Sequence, residues 1–105
     1  MNDWKMLKIT EEDIENGIRG NSCECPIARA LWRAECKGGA FKADAQVRNA
    51  DDISIEAKNG QTISIVEVHE EDAFDIEEFI EIFDETGRVV FDNFGFRYRI
   101  NDNII

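Results

Sequence analysis

The sequence predicts a single α+β domain, residues 1–105, in which an antiparallel sheet of about four strands carries helices on one face. Three observations support this fold class. The apolar residues over 76–83 recur with the 3.6-residue period of an amphipathic helix. From residue 43 onward the apolar residues alternate with polar ones, which is typical of half-buried strands. The length of 105 residues fits one domain with one core.

The first third of the chain predicts one short strand and two helices. Residues 6–9 form an apolar stretch that fits an edge strand, and Thr10 with the acidic residues after it matches a capping box for a helix over 11–16. Pro26 fits the first position of a second helix, which Gly38-Gly39 is expected to end. The buried stripe predicted for this second helix consists of Ile27, Ala30, Leu31 and Ala34.

Four side chains of the second helix point away from this stripe on a helical wheel: Trp32, Cys36, Arg29 and Arg33. Two interpretations of Trp32 remain open, a lid over a second edge of the core and an exposed contact residue. We take Trp32, Arg29 and Arg33 as a secondary contact site for a partner.

Four strand candidates follow, over 43–47, 53–57, 63–65 and 94–100, and Asn59-Gly60 marks a hairpin between the second and the third. A two-residue loop would set an apolar residue opposite a polar one on both faces of this hairpin. We therefore predict a three-residue loop that ends at a left-handed Gly60.

The predicted register places Ile55 opposite Ile63 and Ile53 opposite Ile65. The outer face is then polar, with Ser54 opposite Ser64 and Glu56 opposite Thr62, so helices are needed on the other face only. Two valines after Ile65, Val66 and Val68, break the alternation and indicate either a bulge or a strand end covered on both faces.

The acidic excess of the chain is concentrated in one segment. The chain has 23 acidic and 12 basic residues, a formal charge of −11, and residues 67–87 contain no Lys or Arg. This charge disfavours direct binding to nucleic acid or to an anionic membrane, because both repel it. The odd number of three cysteines and the lack of a secretory apolar run predict a cytoplasmic location.

The acidic segment itself is predicted to be a helix that ends at Gly87, with Asp72 or Asp75 capping its start. Ile76, Phe79, Ile80 and Phe83 form its core face, and the neighbouring face is wholly acidic. Like charges four residues apart, such as Glu77 with Glu81, destabilise such a helix by a few tenths of a kcal/mol per pair.

Three interpretations of this acidic face remain open: a solvated surface, a docking surface for a basic partner, and a cation site. A carboxylate about every 3 Å is within a factor of two of the charge density of duplex DNA, roughly one per 1.7 Å, so the face could mimic a nucleic acid. A regular helix fans its carboxylates outward, which argues against a cation site. The candidate partner-binding residues are Glu70, Glu71, Asp75, Glu77, Glu78, Glu81, Asp84 and Glu85.

Thiol and metal chemistry has weak support in the sequence. Cys25 and Cys36 would lie roughly 16 Å apart along a helix, too far for one zinc ion, so no metal and no cofactor is predicted. Cys25, just before a helix, and the sole histidine, His69, define the alternative function, a thiol-dependent enzyme or redox protein. We otherwise expect no catalytic residue and no enzymatic activity.

The pattern Ile14-x-x-Gly17-x-Arg19, followed by Cys25-Pro-Ile-Ala-Arg-Ala-Leu31, resembles a group of short, functionally unassigned proteins of bacteriophages and prophages. The resemblance covers roughly residues 7–36 and carries over no site residues. It implies a phage setting, in which a small acidic protein acts by binding a basic host protein. Inhibition of a host defence complex such as a CRISPR effector is one form of that activity, by analogy alone.

Overall fold

The structure, a computed structural model, describes residues 4–21, 23–35, 43–57, 59–87 and 94–101. Cys36 and the expected helix stop at Gly38-Gly39 lie outside these residues. The elements in chain order are β1 (Lys5–Lys8), α1 (Glu11–Asn16), α2 (Pro26–Glu35), β2 (Ala43–Asn49), β3 (Asp52–Ala57), β4 (Thr62–Val68), α3 (Glu70–Thr86) and β5 (Gly95–Asn101).

One antiparallel sheet contains all five described strands, in the order β1-β5-β4-β3-β2. The α+β class is confirmed. The sheet has five strands rather than about four because the apolar stretch near the start of the chain is a true edge strand, with Leu7 paired to Phe96 on β5.

The buried apolar side chains of the strands share one face of the sheet, and α2 and α3 cover that face. Ile27 and Leu31 of α2 are fully buried. On α3, Phe79 stacks on Phe94 with the two ring centroids 4.7 Å apart. The other face of the sheet exposes residues such as Ile65, so it is the outer face.

The two N-terminal helices begin as predicted. The hydroxyl oxygen of Thr10 accepts a hydrogen bond from the backbone N–H of Asp13, and the carboxylate of Asp13 accepts one from the backbone N–H of Thr10, which completes the capping box. One position was predicted wrongly: Ala34 is exposed rather than part of the buried stripe of α2, because it lies in the last turn. Ala28 is buried instead.

The hairpin of β3 and β4 corrects the predicted register. Gly60 has the expected positive φ of 89°, and Glu56 is opposite Thr62 as predicted. A bulge then shifts the register, so Ile55 is opposite Ser64 and not Ile63.

The physical reason for this shift lies on the other side of β4. Val66 is paired with Ile100 and Val68 with Tyr98, so the valines must share the core face with β5. The bulge turns β4 to meet that requirement and leaves Ile65 on the outer face, 43% exposed.

The two ends of α3 are capped by different means. The predicted N-caps Asp72 and Asp75 are wrong, because the helix begins directly after β4 and His69 is its N-cap: its Nδ1 accepts a hydrogen bond from the backbone N–H of Glu71. At the other end Gly87 is left-handed, with φ of 72°, and ends the helix as predicted. None of the described helices is long and apolar enough to cross a membrane.

Candidate partner-binding site

The acidic face of α3 is the candidate site, and the structure places all eight predicted residues on this helix. Seven of them are exposed and Glu78 is half-buried. The core face of the same helix is held by Ile76, Phe79 and Phe83, which are buried, so the orientation of the helix is fixed by packing. The carboxylates therefore project from a rigid element rather than from a loop.

A cation from the sheet compensates part of the negative charge in the first turn of α3. Arg97 of β5 donates from Nε and Nη2 to the carboxylate of Asp72, each at 3.0 Å, and its Nη2 also lies 3.2 Å from Glu71. These hydrogen bonds from Arg97 outweigh the opposing effect of burial and hold the pKa of Asp72 below its ordinary value. Glu71 is thus partly compensated within the molecule.

Two further acidic residues have internal roles. An oxygen of Glu77, Oε1, accepts a hydrogen bond of 2.7 Å from the backbone N–H of Ala50, in the turn between β2 and β3. Oδ1 of Asp84 accepts one of 3.0 Å from the backbone N–H of Gly20. These two carboxylates fasten α3 to its neighbours.

Acidic residues in the last turn of α3 lie at the negative end of the helix dipole, where negative charge is unfavourable. Arg19, from the loop after α1, relieves this because its guanidinium donates to the backbone carbonyls of Asp84 and Glu85. A cation at this position interacts favourably with the helix dipole. This role of Arg19 was not predicted from the sequence, since Arg19 is far from α3 along the chain.

Five of the eight predicted carboxylates have no partner among the residues that the structure describes. Within the described part of the chain, no hydrogen bond or ion pair reaches the following side chains: Glu70, Asp75, Glu78, Glu81 and Glu85. These five residues form the free acidic row. The structure thus separates the acidic residues that hold the fold from those that face solvent.

An aromatic residue, missed by the sequence analysis, interrupts this acidic surface. Phe74 is 76% exposed, the largest exposure among the exposed large hydrophobic residues of the described chain. At about 100° per residue it lies roughly 160° from Ile76, within the acidic arc. Its position on the helical wheel was available from the sequence and would have identified it.

The secondary contact site has mixed roles. Trp32 is 40% exposed and lines a surface cavity of about 500 Å³ with Arg29 and Arg33. Its side chain is therefore exposed and does not form a lid over the core. Arg33 forms an ion pair of 2.6 Å with the buried carboxylate of Asp13. Arg29 is half-buried, and its Nε has no hydrogen-bond partner among the described residues.

The residues of the thiol alternative are far apart. Cys25 is buried and lines a small cavity beside Asp84, near the C-terminal end of α3, whereas His69 is at the N-terminus of that helix. At 1.5 Å per residue the two ends are separated by roughly 20 Å, so the imidazole does not reach the thiol.

A position at the N-terminus of a helix, such as that of Cys25 before α2, ordinarily lowers the pKa of a thiol. Burial instead raises the pKa of this thiol above its ordinary value and outweighs the hydrogen bonds from nearby backbone N–H groups. The described residues contain no group of three His, Cys, Asp or Glu side chains arranged to hold a metal ion.

Comparison with known proteins identified no matching family model, no matching curated protein and no matching solved structure.

Proposed function

We propose that this chain is a small acidic interaction protein that binds a basic host protein through the acidic face of α3. The observation that carries the proposal is the free acidic row, whose carboxylates have no partner among the described residues. Other acidic residues of the same helix are matched by Arg97 and by backbone N–H groups. Cations supplied by another molecule would relieve the repulsion that the fold leaves in place.

The partner that complements this surface is a protein with a groove lined by Lys and Arg. The five free carboxylates span roughly 22 Å of helix axis, or about one per 6 Å. This is sparser than the phosphates of one DNA strand, about one per 3.4 Å, but of the same order, so a nucleic-acid-binding groove has cations that this row can engage. Occupation of such a groove would exclude its nucleic acid. The proposal therefore includes inhibition of a host nucleic-acid-binding complex in the cytoplasm, with a CRISPR effector as one example and a phage as the setting.

A charge-reversal variant tests the proposal. Glu78→Lys, Glu81→Lys and Glu85→Lys change three members of the free acidic row and leave the structural carboxylates of Glu77 and Asp84 intact. The parent protein is immobilised on a resin and incubated with a bacterial lysate at low salt. It is expected to retain basic proteins that the triple variant does not retain. Duplex DNA added in excess is expected to displace them.

A matched control carries the same charge change elsewhere. Glu11→Lys, Glu15→Lys and Asp51→Lys alter three exposed residues outside α3 and raise the net charge equally. The control is expected to retain the proteins that the parent retains. Equal retention by all three chains would contradict the proposal, because the acidic face of α3 would then make no specific contribution.

A further inference from the structure

The position of Phe74 within the acidic face adds a second kind of recognition to the charge. It lies one helical turn from Glu70 on one side and one turn from Glu78 on the other, and both of these are in the free acidic row. Glu81 and Glu85 continue the row. The result is a single exposed aromatic side chain bordered by carboxylates along the axis of a rigid helix.

An exposed phenylalanine at this position has no role in the core, because the core face of α3 is complete without it. Ile76, Phe79 and Phe83 are buried on the opposite side of the helix. Aromatic side chains are enriched in protein interfaces, where a few anchor residues fill pockets of the partner and the contacts around them exclude water.

The surrounding charge restricts which partner can cover Phe74. A second copy of this chain would bring its own carboxylates against those of the first, so self-association through this face is opposed by repulsion. An anionic lipid surface is repelled for the same reason. A polypeptide with Lys or Arg around an apolar stripe or pocket satisfies both the aromatic ring and the carboxylates.

We infer that Phe74 is the apolar anchor of the docking surface, and that the partner presents an apolar pocket or stripe bordered by Lys and Arg. The inference rests on the proposed function and specifies its partner chemistry. Charge brings the partner to the helix, and burial of Phe74 selects, among basic polypeptides, those with an apolar feature at the right place.

Two peptides of identical composition separate charge from anchoring. One is a helical peptide of leucine and lysine whose leucines recur at i, i+3, i+4 and i+7, and the other is its scrambled order, with the same charge and no apolar stripe. The parent is expected to bind the amphipathic peptide at least about tenfold more tightly than the scrambled one, a difference of 1.4 kcal/mol.

The variant Phe74→Ala is expected to lose this preference and to keep the affinity for the scrambled peptide. Phe74→Leu, which retains an apolar side chain, is expected to recover part of the preference. Met6→Ala is the matched control: Met6 is 63% exposed on β1, outside the acidic face, and its loss is expected to change neither affinity. Unchanged thermal unfolding of each variant shows that the fold is retained.

The outcomes distinguish the two proposals. If Phe74→Ala keeps the preference of the parent, or if the parent shows none, the anchoring role of Phe74 is overturned while the proposed charge-based binding stands. If neither peptide binds, the proposed function is overturned together with this inference. A dimer of the parent in sedimentation that Phe74→Ala abolishes would identify a second copy as the occupant and would also overturn the inference.

Discussion

The guanidinium of Arg33 and the carboxylate of Asp13 join α2 to α1, with Nη1 and Oδ1 only 2.6 Å apart. Asp13 is 1% exposed, and its second oxygen, Oδ2, accepts hydrogen bonds of 3.0 Å from the backbone and the hydroxyl of Thr10. A buried carboxylate is stable only when it is paired and hydrogen-bonded, so the packing of the two helices depends on Arg33.

Removal of Arg33 is expected to destabilise the protein. Arg33→Ala leaves the charge of Asp13 buried without its ion pair, and we expect the free energy of unfolding to fall by about 1–3 kcal/mol, since the exposed side of Arg33 allows some screening. Urea titration measures the change. Lys8→Ala removes a positive charge from the exposed Lys8 and is expected to change the free energy by less than about 0.5 kcal/mol.

The ionisation of Asp13 is expected to make the stability of the protein depend on pH. Burial alone would raise its pKa, but hydrogen bonds from Arg33 and Thr10 outweigh burial and hold the pKa of Asp13 below its ordinary value of 3.8. The stabilisation is therefore present above pH 3.8 and is lost as the pH falls further through the pKa of the folded state. Asp13→Asn is expected to be less stable at neutral pH and to lose less stability in acid than the parent. Parallel losses in the two proteins would contradict this assignment.

The register of β4 predicts opposite sensitivities for two adjacent residues. Val66 is buried on the core face and Ile65 is on the outer face, so Val66→Ala is expected to reduce the free energy of unfolding by about 1–3 kcal/mol and Ile65→Ala by less than about 1 kcal/mol. Simple alternation from Ile63 predicts the reverse order. Chemical denaturation of the two variants decides between the registers.

The two described cysteines are expected to differ in reactivity. Cys23 is exposed, whereas Cys25 is buried and has a raised pKa, so iodoacetamide at neutral pH should modify Cys23 at least about tenfold faster. Peptide mass mapping after brief exposure measures both rates. Faster modification of Cys25, together with loss of an activity in Cys25→Ser, would favour the thiol alternative instead.

Salt is expected to act in opposite directions on the free protein and on its complex. Screening reduces the repulsion within the free acidic row, so the melting temperature of the isolated chain should rise as salt is increased from about 0.01 M to 0.15 M. The same screening should weaken binding to a basic partner. The triple variant of Glu78, Glu81 and Glu85 should show a smaller stabilisation by salt. A solvated face without a partner shares the first effect and lacks the second.

The elements were predictable because their signals are local. The capping box at Thr10 and the stop at Gly87 are each visible within a few residues of the helix end, and both are confirmed. The register of β4 was not predictable from the hairpin alone, because Ile100 and Tyr98 of β5 decide which valines face the core. That information is distant along the chain.

In the candidate site too, the features set by local sequence were predictable and those set by other elements were not. Charge and helical period were sufficient to place the acidic residues on one face. They could not show which carboxylates are already engaged, since the groups that engage them, Arg97 and the N–H groups of Ala50 and Gly20, come from other elements. Phe74 is the exception, because its place among the acidic residues follows from helical geometry alone.

The place of β5 between β1 and β4 has a consequence for the order in which the molecule assembles during synthesis. The strands β2, β3 and β4 are consecutive, so each can pair with the preceding strand as soon as it has been synthesised. Leu7 of β1 can pair with Phe96 only after β5 has been synthesised. At about 5–20 residues per second, a ribosome needs roughly 5–20 s to make the intervening chain. The first described strand to be synthesised is therefore the last to gain its neighbour, and until then its backbone hydrogen-bonding groups remain open to water or to a chaperone.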